Sequence, residues 1–140
     1  MKNRRHRFTL IEMLIVITVI AILACIVSPR LIAAGQKAKE AELRGDLHKL
    51  RNAIQQFEAN CGDYPSKLED LTLTELDGGT KGGRGIVLDP KGWAENAPFL
   101  ESLPRDPFTG EAGWDYDPET GEVHSGSKLT AINGELYSIW

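Results

Sequence analysis

From Phe8 to Val27 the chain runs for twenty residues with a single charged side chain, Glu12. As a helix rising 1.5 Å per residue, this run is roughly 30 Å long, the thickness of a bilayer's hydrocarbon core. A stretch so uniformly apolar is stable only in lipid or against other apolar helices, so membrane lipid is its first expected partner. Ahead of it Lys2, Arg4, Arg5 and Arg7 stand without an acid. Clustered cations stay on the cytoplasmic side of a membrane. The expected topology is therefore single-pass, with the N-terminus cytoplasmic and the C-terminal domain periplasmic or extracellular.

Glu12 is the anomaly in this run, because an ionised carboxylate inside a membrane costs about 2.5 kcal/mol or more unless it is paired or shallow. It lies one helical turn from the interface, so it can snorkel outward or pair with Arg7 or His6 of its own chain. Alternatively it meets a positive group on a neighbouring subunit, and the cost of burial then specifies how subunits register.

The phrase Arg-Phe-Thr-Leu-Ile-Glu at Arg7 to Glu12, the apolar run from Met13 to Val27, and Pro29 after it decide between these readings. Together they closely resemble the N-terminus of type IV pilins and of the pseudopilins of type II secretion. The resemblance implies leader cleavage between Arg7 and Phe8 by a prepilin peptidase, N-methylation of Phe8, and pairing of Glu12 with the new amine of an adjacent subunit during assembly. It further implies a homo-oligomeric or mixed pilin filament, raised by an inner-membrane assembly platform. One position departs from the family: Arg7 stands where the relatives carry Gly.

Ile22-Leu23-Ala24-Cys25 vaguely resembles the lipobox of bacterial lipoproteins, but Glu12 is out of place in such a signal and the chain runs apolar past the cysteine. Cys25 reads more simply as a small residue facing lipid or a neighbouring helix.

Beyond Arg30, Leu43, Leu47, Leu50, Ile54 and Phe57 recur at alternating steps of four and three, the pattern of an amphipathic helix. Pro29 removes one backbone hydrogen bond and is expected to kink the helix without ending it. A continuous helix from Phe8 to Asn60 would place Cys25 and Cys61 roughly 54 Å apart, far beyond disulfide reach. Cys61 is expected to be a buried thiol, with an intermolecular handle as the other reading.

Residues 61–140 hold twelve of the fourteen glycines and six of the seven prolines. Short apolar stretches between such turn signals read as small strands and long loops. Alternation on both sides of Asp117-Pro-Glu-Thr-Gly121 predicts an antiparallel hairpin, and a helical turn is expected from Leu68. Asn133-Gly134 marks another turn, after which Leu136 to Trp140 is expected to form a final strand whose Tyr137 or Trp140 packs on the helix. Gly78 to Gly85 lacks the strand, helix and Ser or Thr of a phosphate loop and reads as a flexible loop or hairpin.

The passage Tyr64-Pro65 and the phrase Leu103-Pro-Arg-Asp-Pro107 again resemble the pseudopilins, the latter the major pseudopilin. In that relative a C-terminal loop holds calcium, and Asp115, Asp117 and Glu119 are the weak calcium candidates here. The plainer reading is a solvated face, with Pro118 spoiling the ligand spacing.

This distal region carries six Lys and Arg against fifteen Asp and Glu, a net of −9. Such a surface repels phosphate, so no direct nucleic-acid binding is expected. His6, His48 and His124 have no nucleophile beside them in sequence, and neither zinc-ligand nor haem spacing occurs. No enzyme is expected.

The expected fold is α+β and pilin-like: a long kinked N-terminal helix, membrane-spanning in its first half, packed on a small antiparallel β-sheet. Its parts are a basic cytoplasmic leader (1–7), a transmembrane and filament-assembly half (8–29), an amphipathic half (30–60) and an exported acidic β-rich domain (61–140). The expected role is a filament subunit serving protein secretion, DNA uptake, adhesion or motility, forming a surface filament after assembly. The rival is a monomeric, membrane-anchored extracytoplasmic binding module, in which the helix is only a tether.

Overall fold

The computed structural model describes residues 9–75, 79–110 and 113–140, with Ser28 and Pro29 by backbone alone. The expectations for the basic leader, His6, Arg7, Phe8 and Gly78 lie outside the described residues. The chain divides into two compact units, Met1–Lys37 and Ala38–Trp140.

Helix α1 spans Leu10–Cys61, 52 residues, and contributes to both units. Its helical assignment continues through Pro29. In the first unit all residues from Leu10 to Val27 are exposed, and this is one helix long and apolar enough to cross a membrane. The hydroxyl of Thr18 donates to the Leu14 carbonyl at 2.7 Å, so even the polar group inside the run is satisfied within the helix.

In the second unit the alternating residues behave as their spacing predicts. Leu43, Leu47, Leu50, Ile54 and Phe57 are at most 2% exposed and form one stripe. Against it pack Leu68, Leu71, Leu88, Trp93, Val123 and Tyr137. Burial of each large apolar side chain contributes about 1.5–3 kcal/mol, so this stripe organises the unit. Phe57 sits among aromatic edges, with Trp93 at 5.3 Å and Phe99 at 5.2 Å between ring centroids.

After α1 the chain makes a 3-10 helix at Leu68–Thr72, where the helical turn was expected. A short helix α2, Pro90–Asn96, was not anticipated, although its start signal is present in the sequence. Asp89 caps it by accepting the Lys91 N–H at 3.0 Å, and Pro90 supplies a preset φ in the first turn. The helix stops before Ala97, whose following Pro98 disfavours helical geometry.

Strands β1 (Trp114–Tyr116) and β2 (Val123–Ser125) form the predicted antiparallel hairpin, with Asp115 opposite His124. Gly121 closes the turn at φ +73°, and its N–H reaches the Asp117 carbonyl at 2.8 Å. A residue with a Cβ would be strained there.

Two expectations need correction. The distal region is less β-rich than its composition suggests. Among the described residues it has these two three-residue strands and isolated bridges at Lys81–Val87 and Thr130–Leu136. The final segment from Leu136 to Trp140 is not a strand but curls into a 3-10 helix at Tyr137–Ile139. The Asn133-Gly134 turn does form, and Tyr137 N–H pairs with the Leu129 carbonyl at 3.1 Å. The chain then turns because Tyr137 is drawn fully inside, its phenol donating to Glu40 of α1 at 3.0 Å and its ring stacked on Phe108. Trp140 follows onto the helix beneath the Arg44 guanidinium, 4.3 Å from its ring centroid. An extended strand could not seat both rings on α1.

Candidate functional site

The first unit carries one charged group between Leu10 and Val27, and its geometry starts from Thr9. The Thr9 hydroxyl accepts the Glu12 N–H at 3.3 Å, and the Thr9 N–H donates to Glu12 Oε2 at 3.5 Å. This is a reciprocal capping box, which satisfies two donors that a helix start leaves open. The carboxylate also faces the positive end of the helix dipole. At 3.5 Å the second bond is at the limit of hydrogen-bonding distance, and among the described residues no donor holds Oε1. Among the described residues Thr9 is thus the residue that holds Glu12. The spacing Thr-x-x-Glu was visible in the sequence; attention to the charge alone missed it.

Among the described residues of the first unit, nothing covers the apolar side chains beside Glu12. Leu10 is 93% exposed and Ile32 is 72% exposed, and Cys25 lies exposed in the same run. Cys25 and Cys61 are both free cysteines. Cys61 is buried, and burial first, then Asp89, pushes its thiol up to about 11, so it stays protonated and inert at neutral pH.

Two buried carboxylates, Asp63 and Asp106, tie the loops of the second unit to one another, and the sequence pattern assigned a role to neither. Asp63, fully buried, accepts the N–H of Tyr64 at 2.9 Å, of Arg84 at 3.2 Å and of Ile86 at 3.0 Å, and Arg84 Nε at 2.7 Å. Burial alone would raise its pKa; the Arg84 side chain and the Ile86 and Tyr64 N–H groups outweigh it and hold the carboxyl below its ordinary value. Arg84 also reaches Glu58 at 3.2 Å and lies over the Tyr64 ring. Gly83 packs so closely on Pro118 that a Cβ would overlap the Pro118 carbonyl. Over its described part the glycine-rich segment takes the hairpin form of the expected loop or hairpin, closed by the antiparallel bridge Lys81–Val87 and tied through Arg84 to Asp63 and Glu58.

Asp106, also fully buried, accepts the N–H of Phe108 at 2.7 Å and of Thr109 at 3.2 Å, and the Ser125 hydroxyl. It ties the Leu103–Pro107 phrase to β2. Arg51 of α1 clasps the carbonyls of Val123 and Trp140, fastening the hairpin and the last segment to the same helix.

The calcium candidates Asp115, Asp117 and Glu119 are all exposed. Asp117 is engaged locally, its Oδ1 accepting the Glu119 N–H at 2.9 Å, and that bond and Thr120 lower its pKa. Among the described residues no three His, Cys, Asp or Glu side chains gather into a metal-binding group. His48 pairs with Asn52 at 3.1 Å, and His124 lies 3.8 Å from Glu122.

Comparison with known proteins matches residues 3–27 to the prokaryotic N-terminal methylation motif. Residues 30–127 match the family of the type II secretion system protein G. Among similar proteins, the type II secretion system core protein G of Pseudomonas aeruginosa is 28% identical, over 76% of this chain and 70% of that protein. That of Klebsiella pneumoniae is 30% identical, over 81% of this chain and 74% of that protein. That of Vibrio cholerae is 28% identical, over 77% and 70%. No solved structure matches the chain. A methylation segment followed by a family match over most of the remaining chain places this protein in the type II secretion system protein G family, the structural, non-enzymatic pseudopilins.

Proposed function

We propose that this chain is the major subunit of a type II secretion pseudopilus and serves protein secretion. Residues 1–7 are a cytoplasmic leader, 8–29 the membrane and assembly half of the helix with Pro29 as its kink, 30–60 the amphipathic half and 61–140 the exported domain. Prepilin peptidase cuts between Arg7 and Phe8, and Phe8 is methylated. Glu12 then leaves its loose bond to Thr9 for the Phe8 amine of a neighbouring subunit, a charge-assisted pair stronger than the one it replaces. The inner-membrane platform raises each subunit into the filament, where other copies of the helix take the place of lipid.

One observation carries this reading: an apolar helix exposed from Leu10 to Val27 whose one carboxylate, Glu12, is held among the described residues by Thr9 at 3.5 Å. The test is Glu12→Gln in cells that overproduce the chain. Loss of filaments with normal membrane insertion supports assembly through Glu12, and undiminished filaments reject it. Arg7→Gly is expected to raise the processed fraction, read as the mass of the N-terminal peptide and its methyl group.

A further inference from the structure

The hairpin leaves one backbone edge open. Asp117 N–H bonds to the Glu122 carbonyl at 2.9 Å and Gly126 N–H to the Gly113 carbonyl at 2.8 Å, at the two ends of the β1–β2 ladder. Antiparallel pairs alternate between bonded and non-bonded. Asp115 and His124 therefore exchange bonds with each other, while Trp114 and Tyr116 aim their N–H and C=O groups away from β2. On the far side of β2 the equivalent carbonyl of Val123 is taken by Arg51. Among the described residues nothing takes those of Trp114 and Tyr116.

This edge is fixed rather than fraying. The Trp114 indole donates to the Pro104 carbonyl and the Tyr116 hydroxyl to the Pro65 carbonyl, both at 2.8 Å. A groove of about 310 Å³ lies beside it, lined by Lys67, Glu69 and Leu103 together with Trp114, Asp115 and Tyr116. Its lining carries Glu69 and Asp115, both exposed, against Lys67, and the charges of Asp70 and Asp117 reach the Tyr116 side chain. The same field acts on the Tyr116 phenol, which burial first, then Asp70 and Asp117, pushes above its ordinary value.

We propose that the outer edge of β1 binds an extended, Lys- or Arg-bearing segment of another polypeptide by adding it as a third strand. Main-chain bonds to Trp114 and Tyr116 hold the segment and the surrounding acids select its charge. An edge of three residues, about 10 Å long, makes a weak and reversible grip. The site does not depend on filament formation, so it stands or falls apart from the role of Glu12.

The test titrates the ¹⁵N-labelled full chain in zwitterionic micelles with an eight-residue peptide alternating lysine with valine and threonine. Controls are the same peptide N-methylated at alternate residues and a version with glutamate in place of lysine. The expected result is saturable shifts of the Trp114 and Tyr116 amides, at least tenfold weaker binding of both control peptides, and at least threefold weaker binding of the lysine peptide by Asp115→Lys. Asp115 is exposed, so this variant should keep its spectrum elsewhere. Equal binding of the N-methylated peptide, shifts confined to other residues, or no binding would overturn the proposal. So would edge shifts that follow protein concentration without peptide, which would assign the edge to a second copy.

Discussion

Asp63 shows how much one side chain can organise. It gathers four donors from two separate stretches, and no periodicity or motif announces it. Asp63→Asn keeps the shape but weakens an acceptor for the Arg84 and Ile86 N–H groups, at a cost of about 1–3 kcal/mol. Chemical denaturation of the full chain in micelles measures this. Because its folded pKa is depressed, the stabilisation is present above the unfolded value of about 3.9 and is lost as pH falls through the lower folded value. The Arg84 and Ile86 amide resonances are therefore expected to hold steady from pH 7 down to about 4 and to move below it. Cys61, buried with its thiol raised to about 11, is expected to resist alkylation at pH 7 until the second unit unfolds.

At the scale of elements, α1 presents two different surfaces along one chain, and each follows from composition. Leu43 to Phe57 recur at helical spacing and are buried as that spacing requires, so this part was legible before any coordinates. The hairpin was legible too, because Asp117 and Gly121 have side-chain and backbone preferences that act locally. The 3-10 curl at Tyr137 was not legible. It depends on Glu40, 97 residues away, and on a ring stack with Phe108 that no local preference encodes. The Asp63 and Asp106 anchors were hidden for the same reason, while the Thr9–Glu12 box was present in the sequence and passed over. Phe57→Ala is expected to cost about 3–5 kcal/mol of the second unit's stability. Ile15→Ala, in the exposed run, should leave that stability unchanged and lower filament yield instead. Thermal unfolding paired with electron microscopy separates the two effects.

The whole molecule is a pseudopilin anchored in the inner membrane by its N-terminal helix, with its folded unit in the periplasm. Its second unit is closed on itself, with polar loops pinned by Asp63, Asp106 and Arg51. In its first unit the described residues from Leu10 to Val27 are exposed. On the proposed reading, other copies of the helix cover this run and Glu12 exchanges its Thr9 bond for the amine of a neighbouring subunit. The most direct test is a cryo-electron microscopy map of the assembled filament, read at the distance from the Glu12 carboxylate to the nearest N-terminal nitrogen. The Phe8 nitrogen of an adjacent subunit is expected within about 3 Å, with the Thr9 bond released or shared. A filament in which Glu12 stays on its own Thr9, with no neighbouring nitrogen in reach, would contradict it.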